Sequence, residues 1–177
     1  GSSKFTKGNQ WGIFPSGALA WRLSEEDFLK RDWLSNLKLR LSYGVSGNNN
    51  IPADQTGKIF SVAEQKKWLN ITDTWWSAGS TLNNPNLKWE STYSANIGLD
   101  FGFFNNKLNG SVDLYKNTTK DLLMQFTISG SGYNTQYRNI GETENKGLEV
   151  TLNYVPLQKK DYGLNFSLVL GFNKNKI

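Results

Sequence analysis

Carboxylates and indoles are the side chains of this sequence that invite a chemical role, because it contains no cysteine and no histidine. That composition excludes disulfides, zinc sites with Cys or His ligands, cysteine nucleophiles and Ser-His-Asp triads. Glu25 and Glu26 are adjacent carboxylates, but neighbours in a chain do not converge on one bond, as a paired acid and base must. Preceded by Ser24 and followed by Asp27, they fit a short helix start, with a capping hydroxyl and acidic groups at the positive helix end. Asp100, Asp113 and Glu149 each stand on the polar side of an alternating segment. Trp68, Trp75 and Trp76 fall in one polar stretch, and their flat apolar faces suit the C–H surfaces of sugar rings. The plainer use of such aromatics is loop packing or an interfacial girdle. Gly130-Ser131-Gly132 lacks the strand-to-helix setting of a phosphate loop. No catalytic residue, metal or cofactor is expected.

These residues depend on strands. Tyr93, Ala95, Ile97, Leu99, Phe101 and Phe103 alternate with Ser94, Asn96, Gly98, Asp100 and Gly102. Period-two alternation of that length means a strand with one apolar and one polar face. Asn105-Asn106 suits the positive φ of a tight hairpin turn. The pattern then restarts with Leu108, Gly110, Val112 and Leu114 facing away from Asn109, Ser111 and Asp113. Ordinary strands run about 5–6 residues, whereas an outer-membrane crossing takes about 9–11; this hairpin is of the second kind.

Four further segments repeat the signal. Gly17, Leu19, Trp21 and Leu23 form one face near the start, with Pro15 expected at a strand end or bulge. Leu37, Leu39, Leu41, Tyr43 and Val45 alternate with Lys38, Arg40, Ser42 and Gly44, and two cations in mid-strand are tolerable only toward a wet lumen. Leu148, Val150, Leu152 and Tyr154 alternate with Glu149, Thr151 and Asn153, and Leu164 to Phe172 begin again. The expected strands are about 12–23, 37–46, 91–104, 107–118, 146–155 and 163–174. Connections after the first, third and fifth are short, and those at about 47–90 and 119–145 are long. Segregation of short turns from long loops is how outer-membrane barrels are built.

Composition agrees with that class. The mean hydropathy of −0.54 suggests a soluble protein only until lumen-facing polar residues are allowed to offset lipid-facing ones. No apolar run reaches the roughly 18 residues of a membrane helix. The 7 Trp, 7 Tyr and 10 Phe fit interfacial girdles or a carbohydrate-binding surface. The net charge of +5 is dispersed, and no nucleic-acid recognition motif accompanies it. Gly1-Ser2-Ser3 carries neither the basic nor the apolar part of a signal peptide, so the chain is expected to have lost its beginning.

Several motifs run in one order along the chain: Trp11-Gly12-Ile13-Phe14-Pro15-Ser16, Trp21-Arg22-Leu23-Ser24-Glu25-Glu26, Leu37 through Gly44, Gly47-Asn48, Asn84-Pro85-Asn86-Leu87-Lys88-Trp89-Glu90, and Asn145-Lys146-Gly147-Leu148-Glu149. In these the chain resembles the C-terminal half of SusC/RagA-type, TonB-linked outer-membrane transporters. The resemblance implies an all-β fold: an antiparallel up-and-down segment of a transmembrane barrel that closes with about 22 strands around a plug. Residues 1–177 would then be part of the barrel wall, with plug and TonB-contacting segment elsewhere. It also implies TonB-driven import of large nutrients, oligosaccharides or peptides, with a SusD-like surface lipoprotein as partner. Such a family commonly carries a DGSS-like stretch before the Trp-Gly motif, so Gly1-Ser2-Ser3 fits native sequence. In a bacterial outer membrane the sequons at Asn70 and Asn117 carry no meaning.

On this reading Asp100, Asp113 and Glu149 face the lumen, and Trp68, Trp75 and Trp76 lie in an extracellular loop that meets ligand. Two other classes share part of the pattern: a soluble β-sandwich binding carbohydrate, and a passive porin-like barrel. Strand length and segregated loops count against the first, and the Asn84–Glu90 and Glu144–Glu149 motifs against the second. The face assignment makes a prediction. Leu99→Arg, on the lipid side, is expected to cost the full-length barrel about 2–4 kcal/mol if near the bilayer midplane, while Asp100→Arg is expected to be tolerated better. Equal yields of heat-modifiable barrel would reject the assigned faces.

Overall fold

A computed structural model describes the backbone of residues 1–57, 60–68, 71–130 and 132–177, and the side chains of these except 61–68 and 71–78. Among the described residues eleven strands follow in chain order: β1 (Ser16–Arg22), β2 (Leu34–Asn48), β3 (Phe60–Trp68), β4 (Ile71–Ala78), β5 (Thr81–Leu82), β6 (Glu90–Phe103), β7 (Leu108–Lys120), β8 (Leu123–Thr127), β9 (Thr135–Asn139), β10 (Glu142–Gln158) and β11 (Gly163–Lys176). The chain divides into two compact units. One comprises Gly1–Ile13, Gly47–Ser91 and Lys120–Glu142, and the other Phe14–Ser46, Thr92–Thr119 and Thr143–Ile177.

The second unit holds the long strands. A six-stranded sheet runs β1-β2-β6-β7-β10-β11, so each of the six expected strands lies beside its predecessor among the long ones. β1 and β10 pair antiparallel with β2 and β11. Phe104 N–H donates to Trp33 O while Arg40 meets Asp100 farther along, so β2 and β6 also run antiparallel. The β6–β7 turn, Phe104 to Lys107, carries positive φ at Phe104, Asn105 and Asn106, as the Asn-Asn pair requires. β1 is shorter than expected because Pro15 stands before it, its carbonyl accepting from Val45 N–H. β10 is longer, because a register shift between Tyr154 and Leu157 absorbs Pro156. A bulge tolerates a residue without a donor.

Part of the apolar row of this sheet is exposed, at the start of β6 and along β11, while Leu99, Phe101 and Phe103 are half-buried. On β6, Tyr93, Ala95 and Ile97 are exposed, whereas Ser94, Asn96, Asp100 and the buried Gly98 and Gly102 are covered. Ile97 is 51% and Phe172 64% exposed. A soluble sandwich would bury that apolar row against a second sheet.

The helix expected after β1 is only a 3-10 turn, Leu23–Glu25, with no side-chain cap. Glu26 does not serve the helix dipole: its carboxylate accepts from the Trp21 indole N–H at 2.9 Å. A turn this short leaves too few free N–H groups for the expected cap to matter.

The first unit is built from the N-terminal segment and the two long connections, which are more ordered than weak periodicity suggests. β3 and β4 form a hairpin, and β5-β9-β8 a small sheet in which β5 pairs with β9 in parallel. Phe5, Ile51 and Leu87 make its core, with Trp89, Leu123 and Tyr137 packed around them. The Asn84–Glu90 motif supplies much of the framework. Asn84 amide donates to Tyr137 O at 2.9 Å, and its side-chain oxygen accepts from Asn86 N–H. Lys88 pairs with Asp121 at 2.9 Å, and its peptide is held on both sides by Asn139. Trp89 tilts against Phe5, and Glu90 accepts from Leu123 N–H and the Asn48 amide. Gly1-Ser2-Ser3 joins in through Ser2, which is buried and accepts from the Asn49 amide at 3.0 Å.

Leu87 has no exposed surface, so Leu87→Ala removes a filled core position, for which the typical cost is about 2–5 kcal/mol. Hydrogen exchange in the full-length protein is expected to accelerate in residues 80–90 and 121–140 while β6, β7 and β10 stay protected. Uniform acceleration across both sets would contradict two separately packed units.

Candidate functional site

The polar face of the six-stranded sheet gathers the charged residues singled out from the sequence. Parity brings them there: Arg40 on β2, Asp100 on β6, Asp113 on β7 and Glu149 on β10 all alternate with apolar neighbours. The order β2-β6-β7-β10 then sets them on successive strands.

Arg40 is the centre of the arrangement. Its Nε and Nη2 donate to the two oxygens of Asp100 at 2.9 and 2.8 Å, a forked pair. The same Nη2 donates to Asp113 at 3.0 and 3.2 Å. One guanidinium therefore ties three strands and leaves the trio with one net negative charge. Gly98 makes room for it: a Cβ there would sit 2.6 Å from Asp113 Oδ1 and 2.7 Å from the guanidinium. Next along the sheet the Tyr115 ring covers Gly147, whose own Cβ would come within 2.6 Å of the phenol oxygen.

A groove of about 930 Å³ opens on this face between β1 and β10, lined among others by Ser42, Asn96, Asp113, Tyr115, Asn117 and Glu149. Glu149 makes no ion pair or hydrogen bond among the described residues, so its carboxylate is available to the groove. Asp100 belongs instead to an amide-rich hollow nearer the short turns, with Asn36, Asn106, Asn109 and Asn153. The structure thus brings Asp113 and Glu149 to one groove and binds Asp100 to Arg40. Asp100 is consequently not the tolerant position that its face alone suggests. Asn96, on the same face and without a side-chain hydrogen bond among the described residues, is the better comparison for Leu99. Trp68, Trp75 and Trp76 belong to β3 and β4, and their side chains lie outside the described residues.

Arg40 as a strand tie is not evident from its own segment, where it reads as a cation on a wet face. Its partner is 60 residues away, across a connection whose length leaves the register open. Shared parity with Asp100 was the available signal. Chemically the face offers hydroxyls, amides and unbalanced carboxylates over a broad opening. It suits contact with polar solutes and lacks the converging acid, base or nucleophile of a catalytic centre among the described residues.

A family model described as TonB dependent receptor-like, beta-barrel, matches residues 1–176. The TonB-dependent receptor SusC of Bacteroides thetaiotaomicron is 42% identical over 182 aligned positions, covering 100% of this chain and 18% of that protein. The TonB-dependent receptor P26 of Formosa agariphila is 39% identical over 180, with the same coverage. Among solved structures, the RagAB peptide importer in its "closed-closed" state superposes with a TM-score of 0.84 at 31% identity, over 98% of this chain and 19% of that one. The chain therefore spans about a fifth of the length of the relatives it matches.

Removing Arg40 strands two carboxylates. Arg40→Leu is expected to destabilise the full-length barrel by about 1–2 kcal/mol, discounted for partial exposure. Adding Asp100→Asn and Asp113→Asn is expected to recover most of the loss in the temperature at which the barrel ceases to migrate as folded. No recovery in the triple variant would show that Arg40 acts through packing and not through these charges.

Proposed function

The chain belongs to the TonB-dependent receptor β-barrel family, and from that premise we propose that it is part of the outer-membrane barrel wall of a SusC-like nutrient importer. The match to receptors of this family along almost the whole chain is the observation that carries the reading. Physical features support it independently. Strands of 13 to 17 residues exceed what an outer-membrane crossing needs, and their exposed apolar row fits hydrocarbon. The sequential strand order suits an up-and-down wall and gives no support to a two-sheet sandwich.

On this reading residues 1–177 form one portion of the barrel domain, and the polar face with Asp100, Asp113 and Glu149 is the lumen side. The connections at about 47–90 and 119–145 are extracellular, because long loops occupy that side of such barrels. Trp68, Trp75 and Trp76 would then be placed to stack on cargo entering from outside. The cargo is a large nutrient, an oligosaccharide or a peptide. The partners are a SusD-like surface lipoprotein over the mouth and TonB, reached through a segment outside this chain. The family is one of receptors and transporters, so the chain's contribution is binding and passage without bond chemistry.

The test is uptake by cells carrying the full-length receptor, supplied with labelled oligosaccharides and labelled peptides. Import of one class is expected, and it should cease when the proton gradient is collapsed or TonB is removed. Uptake that persists without energy would sink the importer reading in favour of a passive pore. If the cargo is a glycan, Trp75→Ala with Trp76→Ala should raise its half-saturating concentration several-fold.

A further inference from the structure

Three apolar rows on the outward face of the sheet end in lysine at the same height. In the alternation of β7, Leu114 is followed by Lys116; on β10, Leu148 gives way to Lys146; on β11, Phe172 gives way to Lys174. All three changes occur toward the ends of the strands from which the long connections leave. The ladder sets Lys146 directly opposite Lys174, and like charges so placed repel. One carboxylate serves the group: Glu144 lies 2.7 Å from Lys116 and 3.4 Å from Lys146. Lys174 has no ion pair among the described residues.

Beneath the ammonium groups lies a groove of about 480 Å³, with Ala95, Ile97, Leu114, Leu148 and Phe172 in its walls and the three lysines at its rim. We propose that this groove binds a phosphate-bearing, multiply acylated lipid of the outer leaflet, with an acyl chain against the apolar walls and the phosphate between Lys116, Lys146 and Lys174. Phosphate supplies the missing negative charge and accepts from several ammonium donors at once. The groove opens onto the exposed apolar face, so the occupant must carry hydrocarbon as well as charge, which a free phosphate does not. The proposal rests on the membrane reading above, which directs that face to lipid and its lysine row to the outer boundary.

The experiment uses the full-length receptor in detergent, followed by native mass spectrometry with diphosphoryl lipid A and, separately, phosphatidylcholine. Wild type is compared with Lys116→Gln/Lys146→Gln/Lys174→Gln and with Lys159→Gln/Lys160→Gln, a control at the opposite end of β10 and β11. Retention of lipid A is expected to fall at least about tenfold in the triple variant and to stay unchanged in the control, with no such difference for phosphatidylcholine. Equal retention by the triple variant, an equal loss in the control, or complete displacement by millimolar inorganic pyrophosphate would each overturn the proposal while leaving the membrane barrel intact. Recovery of the receptor as a soluble protein without detergent would instead overturn the membrane reading, and this proposal with it.

Discussion

Most of the sheet depends on keeping one parity along an antiparallel ladder, interrupted by the register shift between Tyr154 and Leu157. Successive side chains of a strand point to opposite faces, so a slip of one residue would exchange every apolar side chain for a polar one. Five strands of 13 to 17 residues and the shorter β1 hold that parity together. One device that secures it is local, a turn with three consecutive positive-φ residues between β6 and β7; past the bulge that absorbs Pro156 in β10 the parity shifts by one residue. Where no short turn can set the register, between β2 and β6, side chains do so. Arg40 bridges to both Asp100 and Asp113, and these charges can meet only if the three strands are in step.

Partial shielding explains why charge takes this structural role. In a soluble domain an Arg with two carboxylates is commonly a surface feature worth little, because water screens it. Here the guanidinium and both carboxylates are partly shielded, and the guanidinium lies over Gly98 where a larger residue would expel it. Along the apolar rows no comparable polar tie between strands is seen among the described residues until the strand ends. There Lys116, Lys146 and Lys174 succeed the apolar side chains, and Glu144 pairs with the first two.

The connections follow different physics. Residues 1–13, 47–91 and 120–142 form their own packed unit, with three buried apolar side chains among the described residues and a dense set of bonds from Asn48, Asn84, Lys88, Glu90 and Asn139. The Asn84–Glu90 motif is therefore a folding motif: the side chains of Asn84, Lys88 and Glu90 close backbone groups or an ion pair that the loop could not otherwise satisfy. Long connections that carry function need such internal order if their side chains are to meet a ligand in a defined geometry.

The sequence by itself determined the class and number of the long strands, their faces, the β6–β7 turn and the family, because period-two alternation and turn chemistry are local properties. It also separated short turns from long connections. It did not determine the strands β3 to β5, β8 and β9: β5, β8 and β9 have two to five residues, and β3 and β4 lack a clear period-two pattern. Nor did it reveal that Glu26 would bond Trp21 in place of capping a helix, since the competing partner is set by how β1 enters the turn. The meeting of Arg40 with Asp100 and Asp113, the common groove of Asp113 and Glu149, and the lysine rim around Phe172 are tertiary facts. Each joins residues on different strands, and the relative height of two strands is decided by hydrogen-bond register across the sheet, which no single segment encodes.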